Sequence, residues 1–567
     1  MDRRVVAAIL LMMLVAVAPA VLFKRPTPPP GAVQVDSAGA PAPAAALPAN
    51  PLPLVPADPA AILPEVEPAL APDTITVRSP LYEYRFSTRG GRLVSAALSE
   101  YRSMLPADSG KVAQILQPGS NLLASSLVVG GDTVALGAEI LQPSQRELDV
   151  SAGETSFTLS GTVRGLAVLL TYRFVPGSYH IAVEGRVEGV GPNGAQLLIG
   201  MGPGLRNTES DSVEHRRELG VVVKAEDSEL HRFQSVDQGE PLLLSGPFEW
   251  VAVKSKYFVA AVFAMDSTQP AGARGRLSGA RAFHADPLSA KPALVDVEAS
   301  LPVGSDGSFH YLVYAGPMEY PRLNALGNEF DDVNPYGWPG FRSLIRPVAL
   351  GARWLLVWMH ENLGFAYGLV LITFGVMIRL LLWPLNQKAM RSSMEMQAIQ
   401  PIMKEMQEKY KNDPQKLQQE MFKLYKEHNV NPLGGCWPML LPWPVMLALF
   451  FVFQNTIELR GESFLWMPDL ARADPLFITP ILMGLSMFGL MKLGQRGMAA
   501  NPQMKMMLYI MPPMMTFLFI QFASGLNLYY FVSNMASIPQ QWLLTQERLR
   551  RNPPTAVAPA PKSGKRK

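Results

Sequence analysis

The chain has 567 residues, 48% hydrophobic and only 17% charged, with a formal net charge of +3 and a mean hydropathy of +0.12. A charged fraction below the roughly 25% usual for soluble domains, combined with positive hydropathy, argues against a purely soluble enzyme and brings lipid in early. The single cysteine, Cys436, excludes an internal disulfide, a paired-thiol redox site and a multi-thiolate zinc site, and seven histidines without an HxxxH or HExxH pair give a metal centre no support.

Met1-Asp2-Arg3-Arg4 precedes an unbroken apolar run from Val5 to Phe23, closed by Lys24-Arg25. That run approaches the roughly 20 residues of a bilayer crossing and exceeds the core of an ordinary signal peptide, about 7–15 residues, so residues 1–25 read as an uncleaved anchor. Residues 26–72 hold fourteen of the 51 prolines among many alanines and few charges, an extended linker. From Asp73 the pattern changes. Thr74 to Arg78, Leu81 to Phe86, Ala167 to Phe174 and His180 to Val187 alternate or run apolar at strand length between Gly, Pro, Asn and Asp clusters. Without long intervening helices, residues 73–325 read as a large antiparallel β-sandwich.

Residues 326–362 read as a linker and an amphipathic helix, with Phe341, Leu344, Ile345, Val348, Leu355 and Trp358 at helical spacing and Arg342, Arg346 and Arg353 on another face. The pattern predicts a helix in the membrane interface with its guanidinium groups at the headgroups, or else a buried helix of the sandwich. A second span follows at 363–385, and four more lie within 437–544. The intervening segment 386–436 carries eight Lys or Arg and the tail 545–567 is basic, whereas 457–474 has Glu458, Glu462, Asp469 and Asp474 against two Arg. The positive-inside rule then places both termini in the cytoplasm and the β domain outside.

Within 386–436, Met403, Met406 and Tyr410 and then Leu417 and Met421 repeat at helical spacing on either side of Asn412-Asp413-Pro414, which predicts a helical hairpin with Asp413 as cap and Pro414 at the first helical position. Its mixed Lys and Glu face is either simply solvated or a docking surface.

Arg379 lies inside the second span, where an arginine costs roughly 2.5–3.5 kcal/mol unless it meets water, a counter-charge or the surface. The other predicted spans hold no Asp or Glu. Arg379 therefore either snorkels toward cytoplasmic phosphates, about 13 Å from Lys388 along a helix, or lines a water-filled cavity that offers positive charge to an acidic segment. Gln521, Asn527, Ser533, Asn534 and Gln540 add polar groups to the later spans, explained equally by helix–helix hydrogen bonding. Residues from 347 onward hold 22 of the 29 methionines, and flexible thioethers suit either helix packing or varied apolar partners. No phosphate-binding loop and no nucleophile elbow appears in a supporting context, and the spans show no reactive cluster, so an enzyme is not expected.

Asn431-Pro432-Leu433-Gly434-Gly435-Cys436, Pro444 to Leu449, Leu465-Trp466 with Asp469-Leu470 and Asp474-Pro475, Pro480 to Gly484, and Ser524-Gly525-Leu526 with Leu528-Tyr529-Tyr530 and Val532-Ser533-Asn534 resemble the YidC membrane protein insertase family. The resemblance covers about residues 330–550, with weaker matches at Thr88 to Gly91, Glu249 to Ala252 and Tyr257-Phe258. It implies a polytopic α-helical membrane protein of the inner membrane: an N-terminal anchor, a five-helix insertase core and a large periplasmic β-sandwich.

The same resemblance implies a groove open to cytoplasm and lipid but closed outward. Arg379, Tyr529 and Tyr530 match its groove residues, joined here by Gln521, Asn527 and Asn534. The lipid-facing slide lies on the third and fifth spans, with Met439, Trp443, Met446, Met511, Met514 and Met515 as candidates. Pro442 stands where the family pattern leads one to expect a glutamine. Implied partners are nascent membrane proteins, the phospholipid bilayer, the Sec translocon, and the ribosome and signal recognition machinery; no sequence-specific nucleic acid, cofactor or metal is implied. A transporter or channel, or an envelope scaffold, is the competing reading, but the two similar halves common in transporters are not seen.

Overall fold

The computed structural model describes residues 74–190, 195–237, 240–265, 275–285, 294–337, 340–411, 413–427, 443–496 and 502–551. The expected anchor, the proline-rich linker, the end of the basic tail, Met439 and Pro442 lie outside them.

Alternation in the sequence becomes two-sided strands in the β-rich region. Thr155–Val163 and Leu166–Phe174 turn alternate side chains inward and pair antiparallel over their whole length. They belong to a nine-stranded sheet with an interior strand, Phe258–Ala264, that is buried at every position, as its continuous apolar sequence requires. A six-stranded and a five-stranded sheet complete the fold. Among the described residues, strand pairing is antiparallel except between Thr76–Arg78 and Glu147–Asp149, which run parallel. Phe86, Phe157, Tyr172 and Phe174 interlock at ring separations of 4.8 to 5.9 Å in the core between sheets.

The helices are α1 (Ser212–Glu218), α2 (Tyr320–Ala325), α3 (Arg342–Leu363), α4 (Tyr367–Ala398), α5 (Gln400–Lys409), α6 (Pro414–Glu427), α7 (Trp443–Asn455), α8 (Ile478–Gly494), α9 (Pro502–Phe519) and α10 (Ser524–Arg551). In the bundle α10 packs against both α8 and α4, and α3 packs against α7. Beyond the last strand, Phe330 of the linker returns to the β-domain core and wedges its ring among Trp250, Phe263 and Tyr314 at 4.7 to 5.8 Å.

The described residues bear on three expectations. Of the six spans expected, the described residues hold one helix, Tyr367–Gln387, long and apolar enough to cross a membrane; Pro444–Asn455, Ile478–Gly494 and Met504–Phe519 are shorter apolar helices. The first residues of the expected third span lie outside the described region, and α10 is long but diluted by its own polar residues. The second helix does not stop at 385: α4 runs on to Ala398 through Pro384, because the residues that follow are mostly good helix formers and proline removes only one hydrogen bond.

The third concerns the arginines of α3, each of which meets a carboxylate. Arg346 pairs with Asp331 at 2.6 Å and Arg342 pairs with Asp332. Arg353 is buried, pairs with Glu458 and lies 5.1 Å from the Tyr320 ring centre. Desolvating a guanidinium is tolerable only where a carboxylate meets it, and these carboxylates lie on the linker and on the turn after α7. Exposed instead are Phe341, Leu344, Trp354, Trp358 and Leu363, with the two indoles stacked at 6.4 Å.

Candidate functional site

The site grows from the seam between α4 and α10. At Gly375 the helices approach so closely that a Cβ would lie 3.3 Å from Val532 and 3.5 Å from the Tyr529 ring. One helical turn on, the same face of α4 presents Arg379. One turn beyond Tyr529, α10 presents Ser533, and the Arg379 Nε–H donates to Ser533 Oγ at 2.8 Å. Further along the seam Gln540 donates to the Trp383 carbonyl at 3.0 Å. Among the described residues no carboxylate lies within ion-pair distance of Arg379, so its charge is met by a neutral hydroxyl.

The other groove candidates sit on different contacts. Asn534 donates to Ser486 Oγ at 3.1 Å, tying α10 to α8. Asn527 is fully buried and donates to the Phe519 carbonyl at the end of α9. Tyr529 is buried against Phe374 at 5.9 Å, whereas Tyr530, 5.5 Å from it, turns to Phe519 at 5.4 Å. Gln521 is exposed in the α9–α10 turn and is not brought to Arg379. Arg379, Tyr529 and Ser533 thus form one cluster, with Asn527, Asn534 and Tyr530 as struts to neighbouring helices.

Of the slide candidates, Met446, Met511 and Met515 are half-buried and Met514 is exposed. Met514 shares α9 with exposed Tyr509, Ile510, Phe517 and Leu518, while α8 exposes Ile481 and Leu485. Helices α8 and α9 meet closely, since a Cβ on Gly484 would fall 1.9 Å from Thr516 Oγ1. Met439 and the Trp443 side chain are outside the described residues.

One end of the seam is filled by residues 456–477. Met467, Leu470 and Ala471 join the buried cluster of Leu371, Phe374, Phe453, Leu526 and Tyr529. The Phe464 ring covers Gly368, leaving a Cβ there only 2.0 Å of room. Backbone bonds fasten the segment to the start of α10: Gly525 N–H to the Leu470 carbonyl at 3.0 Å and Ser524 N–H to the Arg472 carbonyl at 2.6 Å. Asp474 accepts from Trp466 Nε1 at 3.1 Å and from the Thr479 N–H at 2.7 Å, capping α8 with a carboxylate.

At the opposite end of α4, α5 and α6 pack through Ile399, Leu424, Met403, Met406 and Tyr425. Asp413 Oδ1 accepts the Lys416 N–H at 3.0 Å, and Lys409 and Lys416 flank the Tyr410 ring at 5.4 and 5.7 Å. Leu417 and Met421 are half-buried, and Phe422 is exposed.

Residue patterns missed two contacts here. Ser533 counted as one polar residue among several, and only the α4–α10 register shows that it meets Arg379. Glu458 counted only toward the charge asymmetry of its loop; its partner lies 105 positions away.

The chain matches the family of the 60Kd inner membrane protein over residues 358–551 and that of the YidC periplasmic domain over residues 74–349. It is 33% identical over 581 residues to the membrane protein insertase YidC of Anaeromyxobacter dehalogenans (strain 2CP-C), covering 100% of this chain and 99% of that one. It is 30% identical over 505 residues to the membrane protein insertase YidC of Chlorobaculum tepidum, covering 82% and 81%. A crystal structure of an active YidC insertase with its first transmembrane domain resolved aligns over 83% of this chain and 93% of that chain, with 17% identity and a TM-score of 0.33.

Proposed function

Because the chain belongs to the YidC membrane protein insertase family, we propose that it inserts nascent membrane proteins through a groove between α4 and α10, with Arg379 receiving the hydrophilic part of the substrate. Insertase function, membrane protein substrates and a bilayer setting with a periplasmic β-rich domain and a C-terminal helical region follow from that membership. The finer reading rests chiefly on one observation: Arg379 is held by Ser533 and by no carboxylate among the described residues, so its charge is positioned yet not neutralised.

A hydrophilic tail crossing an apolar core is the costly step. A groove that reaches part-way through the membrane shortens the dry path, and Arg379 attracts acidic residues of the tail where the dielectric is low. The segment 456–477 closes the outer end, so the tail enters from the cytoplasmic side. The hydrophobic helix then leaves along the apolar faces of α7 and α9, with Met446, Met511, Met514 and Met515 on the slide. Each Leu, Ile, Phe or Val contributes about −0.3 to −0.6 kcal/mol at the helix centre, sufficient over some 20 residues to drive insertion without ATP. The hairpin α5–α6 and the basic tail are the surfaces for the ribosome or the signal recognition machinery, and the Sec translocon is a partner beside which the chain acts. Both termini lie in the cytoplasm on this reading, with six spans in the inner membrane.

The test is reconstitution of the purified full chain in liposomes with a short single-span substrate made in vitro, scored by protease protection. Protection well above that of empty liposomes is expected; equal protection refutes autonomous insertion.

A further inference from the structure

The segment that closes the groove is also the segment that holds the β domain. The 3-10 turn Ile457–Leu459 divides its side chains between two cores: Ile457 packs with the β-domain core and Leu459 with the bundle core. The next residue, Arg460, leaves the bundle loop and enters the β domain. Its side chain is only 3% exposed, and all three of its nitrogens are engaged. Nε donates to Glu209 Oε1 at 2.9 Å, one terminal nitrogen to the Arg102 carbonyl at 2.9 Å and the other to the Thr208 carbonyl at 3.2 Å. The rings of Tyr257 and Phe258 flank it at 5.9 and 5.6 Å. Gly461, in the left-handed region at φ 76°, has no space for a side chain, because a Cβ there would lie 2.2 Å from Met104 Cε.

We infer that Arg460 is a positioning residue through which the β domain sets the closure of the groove's outer end. A buried guanidinium that spends its donors on one carboxylate and two carbonyls cannot shift by even an ångström without stranding them. From Arg460 the constraint passes along a short, continuous path. Leu470 N–H donates to the Glu462 carbonyl at 2.8 Å, and the Leu470 carbonyl in turn accepts the Gly525 N–H at the first turn of α10. Four residues after Gly525, α10 carries Tyr529, and Ser533 lies one turn further along the same face. The β domain is therefore a clamp on the closing segment as well as an external module. The inference rests on the groove reading only for the word closure; the mechanical coupling stands on the contacts themselves.

The test is hydrogen–deuterium exchange of the full chain in nanodiscs, comparing the wild type with Arg460→Lys, Arg460→Gln and Glu209→Gln. Arg460→Gln and Glu209→Gln cut the same contact from opposite sides. Each should speed exchange of the amides of residues 462–472 and 524–526 by about tenfold, the loss of roughly one charge-assisted hydrogen bond, while β-strand amides such as those of Phe258–Ala264 keep their protection. Arg460→Lys retains the charge opposite Glu209 but not the two carbonyl bonds, and should fall between. If Arg460→Gln does not fold, Glu209→Gln and Arg460→Lys still decide. Unchanged exchange in 462–472 and 524–526 overturns the inference, as does faster exchange spread uniformly over both domains, which marks Arg460 as ordinary structural glue. Failure of the insertion assay by the wild type would strike the groove reading and leave this exchange pattern untouched.

Discussion

Arg379 on α4 and Ser533 on α10 are 154 positions apart and meet at 2.8 Å, one turn beyond the contact of Gly375 with Tyr529. The glycine lets the helices approach and the hydroxyl fixes the guanidinium without cancelling its charge.

This separates two variants. Arg379→Ala should slow insertion of a substrate with an acidic leading tail about tenfold, the effect of one charge-assisted contact, with little change for a neutral tail. Ser533→Ala should keep that preference and lower stability by about 1 kcal/mol, the net worth of a hydrogen bond. Paired insertion assays with acidic and neutral tails check both, and equal slowing of the two tails by Arg379→Ala points to snorkelling.

Gly368 faces the Phe464 ring with 2.0 Å available to a Cβ. Gly368→Ala should displace the ring and destabilise the protein by about 1–3 kcal/mol, the usual cost of overpacking. Adding Phe464→Leu should recover part of the loss. Thermal unfolding of the purified protein in detergent measures it, and an unaltered midpoint in the single variant contradicts the packing of Phe464 on Gly368.

The Arg353–Glu458 pair joins α3 to the turn after α7, with the arginine side chain 6% and the glutamate 21% exposed. Removing one partner strands the other. Arg353→Met or Glu458→Leu alone should each cost about 3–5 kcal/mol, and the double variant should cost clearly less than their sum. A double-mutant cycle on unfolding midpoints tests the coupling; strict additivity rejects it.

His215 on α1 is buried, and burial lowers its pKa from 6.5 to about 4, opposed by a hydrogen bond to the Leu205 backbone. His180 shifts the same way for the same reason. A depressed histidine binds fewer protons folded than unfolded. Its contribution is thus complete above pH 6.5 and is lost as pH falls toward 4, on the order of 3 kcal/mol for His215. The drop in melting temperature between pH 7 and pH 4.5 should shrink in His215→Gln. An equal drop in both proteins removes His215 as a cause.

The sequence alone determined the order of parts and much of their character. The alternation of Thr155 to Phe174 can be satisfied only by two-sided strands, and Asp413-Pro414 starts α6 because cap chemistry is local. The apolar run around Arg379 marks that residue because an isolated charge there is costly wherever the chain folds. Tertiary structure decided who meets whom. Helical periodicity put Arg342, Arg346 and Arg353 on one face but could not say that Asp332, Asp331 and Glu458 would be waiting there. Nor could it single out Ser533 among several polar residues of α10, or carry Arg460 into the β domain. Periodicity and capping act over a few residues. Pairing a charge depends on which distant segment supplies the partner, and that is set when β domain, closing segment and bundle pack together.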